Sequence, residues 1–522
     1  MNPTVLAFLV LYYLVVLGIG YWAVRRGAGE DLEGYLLGGR KIGPFTTALT
    51  LQSTAMSGYM FLGAGSAGYA HGYWACWYAA GDIGGGMMNL SVIGRRMRKL
   101  SQIFGALTSI EYLEARYPHP FLRLYSAVMA IFFLMFYVLA QFIAGGKGME
   151  IVTGLPYWAA LLIAVGVIIC YTFMGGYFAV AYTDLFQSLV MLFGMIWIFA
   201  ATLSAVGGWS TANAALAQMD PTLLSTWGRG LEFQGKWGLV AGAVLVFSIG
   251  YMGWPHVVTR NLAMNDPKSA RTAGVYSVLW NLFFVTTPYL IGIFAIVLFP
   301  KLADPELAIM KVATELLPPA VTGIVMAAIM AAIMSTADSL LLQTGTFASR
   351  DIYQRFLNKN ANESQMVWVS RALVLAIGIV GYFVALLKPP SVFSIVIFAT
   401  SVFGSAFLPV NFCAVWWKKA NVPGAMSSII GGSITAIVWQ MAGLDGVTAV
   451  HPMFAGTIVS TVLIVAVSLL TQQIAPVPDH ILAAMDETAK LGPIPKKMIM
   501  GADHRISSEA SQIGKILGAS EG

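Results

Sequence analysis

TTALTLQSTAMSGYMFLGAGSAGYAHG, residues Thr46 to Gly72, is long enough to cross a bilayer, yet its middle is polar. Gln52, Ser53, Thr54 and Ser57 stand where hydrocarbon is expected, and Gly58, Gly63, Gly65 and Gly68 follow them. One at a time, hydroxyls and glycines serve close packing between membrane helices. Their density in one segment predicts an unwound stretch, which is tolerated only where the backbone lines protein or a cavity. Carbonyls freed at such a break can coordinate a cation.

The same theme returns in FSIGYMGWPH, Phe247 to His256. Gly250, Gly253 and Pro255 interrupt a helix there, and Tyr251, Trp254 and His256 bring hydrogen-bonding groups on apolar bodies. Pro255 removes one backbone bond and clashes with the preceding turn, which by itself gives a kink. Two interrupted helices in corresponding places of two halves is the pattern of inverted-repeat transporters, whose broken helices form a site at the midplane. A third segment, AAIMSTADSLLLQTGT from Ala331 to Thr346, sets Ser335 and Thr336 side by side in an apolar helix, with Asp338 two residues on. The hydroxyls can simply bond the carbonyl one turn back. A carboxylate at that depth usually faces a pathway or a partner. Asp82 and Asp184 are further candidates for inward-facing acids. The segment from Gly175 to Gln187 reads as a short loop, so Asp184 fits an interfacial position equally well.

The chain around these segments has 522 residues, of which 58% are apolar and 10% charged. Soluble domains carry about 25% charged residues, so this composition cannot cover an ordinary water-facing surface. The apolar residues come in runs of about twenty, the length of a spanning helix, and the alternation of a membrane barrel strand is absent. Thirteen spans result, near 4–24, 43–69, 73–94, 121–149, 156–176, 181–206, 237–259, 272–300, 319–345, 367–387, 391–417, 423–443 and 452–471. With the N-terminus outside and the C-terminus in the cytoplasm, 24 of the 30 basic residues fall on the inner side. Only Lys147, Arg229, Lys236, Lys301, Lys311 and Lys388 are left outside. That split is the direction the positive-inside rule demands, and it explains the net charge of +6 without nucleic acid.

Cys76, Cys170 and Cys413 have no spacing suited to a disulfide framework or zinc. HExxH and phosphate-loop motifs are absent and the six histidines are scattered, so no enzyme is predicted. From Asp486 to Gly522 the chain is polar and reads as a mobile cytoplasmic tail.

The chain resembles the sodium:solute symporter family, especially its sodium/proline and sodium/pantothenate members, from Tyr12 to about Leu470. The markers are DLEGYLLGGRKIGPF (Asp31 to Phe45), TAMSGYMFLG (Thr54 to Gly63) and YTFMGGYFAVAYTDLFQ (Tyr171 to Gln187). GYMGWPHVVTR (Gly250 to Arg260), AAIMSTADSLLL (Ala331 to Leu342) and WWKKANVPGAMSSIIGG (Trp416 to Gly432) complete them. The resemblance implies an all-α polytopic membrane protein of the leucine-transporter type with two inverted five-helix repeats. The corresponding division is a first helix and loop in 1–42, repeats in 43–235 and 236–420, two added helices in 421–471, and the tail in 472–522.

It further implies a plasma-membrane (inner-membrane) symporter that moves sodium with a small organic solute such as proline or pantothenate, without an obligate protein partner. By position in the motifs, sodium would be held by backbone carbonyls of Ser53, Met56 and Ala332 and side-chain oxygens of Ser335 and Thr336. The solute would meet Ser57, Gly58, Tyr137, Phe247, Tyr251 and Pro255, and Asp184 and Asp338 would serve coupling or gating. The chain departs from the proline carriers at Ala55, where they have aspartate, and at Phe247, where they tend to tryptophan. Its Leu317 to Thr336 region and the Lys388–Pro390 segment are closer to the pantothenate carriers. A proton-coupled carrier of the same fold and a transporter-derived sensor are the rival readings.

Overall fold

The computed structural model describes residues 2–26, 31–227, 237–387 and 392–490, together with 492, 494, 495, 498 and 499. Among them the chain is helical, and no named strand occurs. The Lys388–Pro390 segment and the tail from 501 onward lie outside the described residues.

The chain opens with α1 (Pro3–Arg25), capped by Asn2 and carrying Pro3 at its first position, where a missing N–H costs nothing. The first broken span runs through α2 (Pro44–Ala55), a π-type segment over 59–64, and α3 (Gly65–His71). The next run is α4 (Cys76–Met88), continued by a π-type segment over 89–94 into α5 (Arg95–Ile103). Then come α6 (Pro120–Thr153) and α7 (Tyr157–Ala205). The second broken span pairs α8 (Trp237–Phe247) with α9 (Pro255–Ala263). After it follow α10 (Ser269–Leu298), α11 (Pro319–Leu357), α12 (Glu363–Ala385), α13 (Val392–Trp416), α14 (Val422–Met441) and α15 (Pro452–Leu470). A short α16 (Asp479–Ala489) ends the ordered succession.

Nine helices among the described residues are long and apolar enough to cross a membrane. One of them, α7, is really two spans, because the backbone reverses at Gly176, whose φ of 56° favours glycine. The two broken spans and the α4 run add three more crossings that fail a test of unbroken length. The thirteen runs read from the sequence are thus accounted for.

Burial sorts the helices. The most apolar windows of α11 and α13 are 83% buried, those of α12 and α15 only 28% and 33%. The outer helices turn large apolar side chains outward, among them Phe193, Phe283, Phe383 and Val462. Water would not tolerate such a surface, whereas acyl chains solvate it. The center of the bundle is held instead by close backbone approaches. Gly68 faces the Tyr289 carbonyl and Gly292 the Gly65 carbonyl so closely that a Cβ on either would collide with backbone. This is small-residue packing in the membrane sense.

The two broken spans are pinned together at one end. The Ile42 carbonyl accepts from Asn265 N at 3.0 Å, and Ile42 N donates to Ala263 O at 3.4 Å, an isolated parallel bridge. The start of α2 and the end of α9 therefore share one face of the bundle.

Two expectations are corrected. The stretch from Gly175 to Gln187 is not a loop: only Gly176 departs from helix, and Asp184 is a fully buried residue of α7. The reading of a mobile tail from Asp486 also begins too early. Ile481, Ala484 and Met485 of α16 are buried, Lys99 Nζ of α5 donates to the Lys490 and Gly492 carbonyls at 2.7 and 2.8 Å, and Lys418 pairs with Asp486 at 2.5 Å. Short local apolar content undersold a segment whose end is held by Lys99, far away in sequence.

Close packing of α4 gives a first prediction. A Cβ on Gly85 would run into the Phe247 carbonyl, whereas Gly84 next to it faces open space. Gly85→Ala should cost about 1–3 kcal/mol, the usual penalty of overpacking, and lower the melting temperature of the purified protein. Gly84→Ala should leave it unchanged. Equal melting of the two variants would refute this account of the α4–α8 contact.

Candidate functional site

The first break begins where α2 ends. Met56 caps the helix at φ −85° and ψ 67°, and regular structure resumes only at Gly58. Thr54 and its neighbours thereby lie in the last turn of a helix, whose carbonyls lack intrahelical partners. Those carbonyls face α11. Ser335 Oγ donates to Ser53 O at 2.9 Å, and Thr336 Oγ1 donates to Thr54 O at 2.8 Å and lies 3.4 Å from Ser53 O. Both hydroxyls also lie against Ala332 O, at 3.3 and 3.2 Å.

Of the five oxygens expected to hold sodium, those of Ser53, Ala332, Ser335 and Thr336 meet in one place. Met56 sits buried in the break itself. Every oxygen in the group is neutral. A hard cation takes such oxygens in place of its water, and a single positive charge needs no carboxylate at each ligand.

A charged network lies on the other side of Thr54. Its hydroxyl stands 3.2 Å from Asp184 Oδ2 and 3.1 Å from Ser339 Oγ. Arg260 Nη2 reaches the same hydroxyl and Ser339 Oγ at 2.6 Å each, and lies 3.6 Å from Asp184 Oδ2. Thr50 Oγ1 donates to Asp184 Oδ2 at 2.5 Å. Arg260 is 1% exposed and Asp184 not at all. The sequence reading counted Arg260 among the inner-side basic residues and gave it no partner; the structure shows it as a buried ion-pair partner of Asp184. Asp338, one turn along α11, accepts from Tyr171 at 2.7 Å. Thr54 is thus shared, its carbonyl belonging to the oxygen group and its hydroxyl to the ion pair.

The second break supplies the remaining residues. Ser248 leaves the helical region at φ −99° and ψ −101°. Trp254 is extended at φ −83° and ψ 115°, the conformation a following proline imposes. Pro255 then opens α9, and the Val257 and Val258 N–H groups of its first turn donate to Trp254 O at 3.0 and 2.9 Å.

Across from it, Gly58 N donates to Gln141 Oε1 at 2.9 Å, and Tyr137 donates to Ser57 Oγ at 3.3 Å. Phe247 packs its ring 5.0 Å from Tyr59 and 5.7 Å from Trp254. Tyr251 donates to Asp82 of α4. Ser57, Tyr137, Phe247 and Tyr251 are all buried, so a solute reaches them only if one side of the protein opens.

Two interrupted helices meeting over a buried polar center, with a group of neutral oxygens at the seam, form the arrangement expected of a secondary transporter. Comparison with known proteins agrees. The sodium:solute symporter family profile matches residues 35–432, and the chain belongs to that family. It is 29% identical over 497 residues to the osmoregulated proline transporter of Bacillus subtilis (strain 168), covering 94% of this chain and 99% of that one. It is 31% identical over 480 residues to the sodium/proline symporter of Staphylococcus aureus (strain JH9), covering 89% and 92%. Among solved structures, a sodium-coupled sialic acid symporter in a substrate-bound, outward-open state superposes with a TM-score of 0.75 at 18% identity. The overlap covers 91% of this chain and all of that one, which gives the leucine-transporter-type fold. The protein is therefore a multi-pass membrane symporter that carries sodium with a small solute, and not an enzyme.

Proposed function

We propose that this symporter imports a small carboxylate-bearing solute, with proline the first to test, by alternating access between the two faces of an inner membrane. The observation that carries this reading is the position of the oxygen group. Ser53 and Thr54 belong to α2 and Ala332, Ser335 and Thr336 to α11, so a sodium ion held among them would join two elements that otherwise meet through hydroxyl bonds alone. Binding sodium then favours one arrangement of the helices, and the solute at the adjacent breaks is favoured in the same arrangement, which is how two cargoes become coupled. Each sodium entering with its charge gains about 2.3 kcal/mol per 100 mV.

In this reading Ser53, Met56, Ala332, Ser335 and Thr336 hold sodium. Ser57, Gly58, Tyr137, Phe247, Tyr251 and Pro255 meet the solute, and Asp184 and Asp338 serve coupling. The N-terminus lies outside and the C-terminus inside. The repeats take up 43–235 and 236–420, and the two helices of 421–471 stand apart from them.

The relatives that act on proline favour that solute, at an identity near 30% that leaves pantothenate and short monocarboxylates to be tested beside it. Proteoliposomes holding the purified chain, given labelled proline, pantothenate, acetate and pyruvate, should accumulate one of them only under an inward sodium gradient. Accumulation that ignores sodium and follows an imposed proton gradient would refute the sodium assignment. Ala55 keeps that alternative alive, since the family resemblance places a carboxylate there in proline carriers.

A further inference from the structure

Asp82 is a carboxylate at the solute breaks that neither the oxygen cage nor the Asp184–Arg260 network uses. It is 1% exposed, and Tyr251 donates its hydroxyl to Asp82 Oδ1. Its neighbours Gly81 and Gly85 press bare backbone against the Val244 and Phe247 carbonyls, contacts that any Cβ would obstruct. That closeness lets a side chain as short as aspartate reach the second break.

Among the described residues no cation pairs with Asp82, whereas Asp184 faces Arg260 and Asp351 binds Arg123 at 2.8 Å. A carboxylate at membrane depth costs about 2.5–3.5 kcal/mol on insertion scales and is ordinarily paired. One left without a counter-charge beside a cargo site fits a counter-charge that arrives with the cargo.

Polar groups without partners lie close by. Gln141 uses its Oε1 on Gly58 N, and its Nε2 is buried without a partner. The Trp254 indole nitrogen and both ring nitrogens of His256 are likewise buried and unpartnered. The Trp254 ring lies 4.5 Å from that of Tyr251, and the His256 ring 5.6 Å from that of Tyr137. Polar nitrogens without partners therefore cluster with the start of α9, and a carboxylate that no cation among the described residues pairs stands at Asp82. Those are the two poles of a compact zwitterion.

We propose that Asp82, oriented by Tyr251, holds the ammonium group of the transported solute, so that the cargo is a small amine-bearing zwitterion and not a simple monocarboxylate. This inference rests on the reading of the two breaks as the solute site. Its test uses the full chain in proteoliposomes under a sodium gradient, with labelled proline, alanine and glycine, and with acetate, pantothenate and tetrahydrofuran-2-carboxylate as amine-free acids. The amino-acid set should enter, and the amine-free acids should neither enter nor compete.

Asp82→Asn should raise KM about 30-fold or more, the loss expected when one partner of a buried charge pair is removed. Asp82→Glu, which keeps the charge, should lose less. Stabilisation of Asp82→Asn by sodium alone in a melting experiment establishes that the variant is folded; if it is not, competition on the unaltered protein decides.

Sodium-driven entry of an amine-free acid would overturn the role of Asp82 and leave the symporter standing. An unchanged KM in folded Asp82→Asn would do the same. Uptake driven by protons and lost in that variant would make Asp82 a proton carrier, also against the proposal. No sodium-driven entry of any compound in the panel would overturn both the inference and the reading beneath it.

Discussion

Ser335→Ala/Thr336→Ala should raise the sodium concentration for half-maximal uptake about 100-fold, which corresponds to about 2.8 kcal/mol over two lost oxygen ligands. The effect is large because the two hydroxyls do more than line a space. They also donate to Ser53 O and Thr54 O at 2.9 and 2.8 Å, carbonyls at the end of α2. The variant removes the ligands and also leaves those carbonyls to lose stability without an ion, at about 1–3 kcal/mol each. Saturating sodium should therefore restore part of the uptake. A lowered maximal rate with an unchanged sodium requirement would contradict the cage and assign the pair to packing of α11 against α2.

Arg260→Ala is the second large effect expected. It would leave the Asp184 carboxylate buried without its ion, and removing one partner of a buried pair costs about 3–5 kcal/mol. The melting temperature of the purified protein should fall further than for any other variant considered, and uptake should be lost. Arg260→Ala/Asp184→Ala should be more stable than Arg260→Ala alone, since no charge is then stranded.

Arg260→Lys separates structure from coupling. A lysine keeps the charge but not the planar guanidinium that reaches Thr54 and Ser339 together. Its stability should stay near that of the unaltered protein while the sodium requirement rises, because Thr54 would lose the grip on its hydroxyl next to the cage. Arg260→Lys with unaltered sodium dependence would show that the ion pair is a structural tie alone.

The arginine and the aspartate also show how far a sequence can be read. Asp184 is visible as an acid in an apolar region, and Arg260 as a basic residue near a helix end. Their partnership is not, because Asp184 meets Thr50 across 134 residues and Arg260 meets Thr54 across 206. The loop reading of the Gly175–Gln187 stretch failed for a related reason. Gly175 and Gly176 signal a turn, but one left-handed glycine suffices for it, and the helix resumes at once. The tail helix escaped notice because its apolar residues Ile481, Ala484 and Met485 are few and are buried only by packing against distant parts of the chain, with Lys99 holding its end.

The sequence by itself determined the membrane class, the helical content, the thirteen crossings, the two broken spans and the Ser335–Thr336 pair. All of these follow from local chemistry: twenty apolar residues need internal hydrogen bonds in lipid, a proline or a run of glycines and hydroxyls interrupts them, and each signal is contained within one segment. Only the tertiary structure decided that the Ser335 and Thr336 hydroxyls of α11 meet the Ser53 and Thr54 carbonyls of α2, that Arg260 turns inward to Asp184, and that Asp82 faces Tyr251. Those contacts join segments set far apart in the chain. A single residue's identity shows that burying its charge is costly, but which distant group offsets that cost depends on how the helices pack.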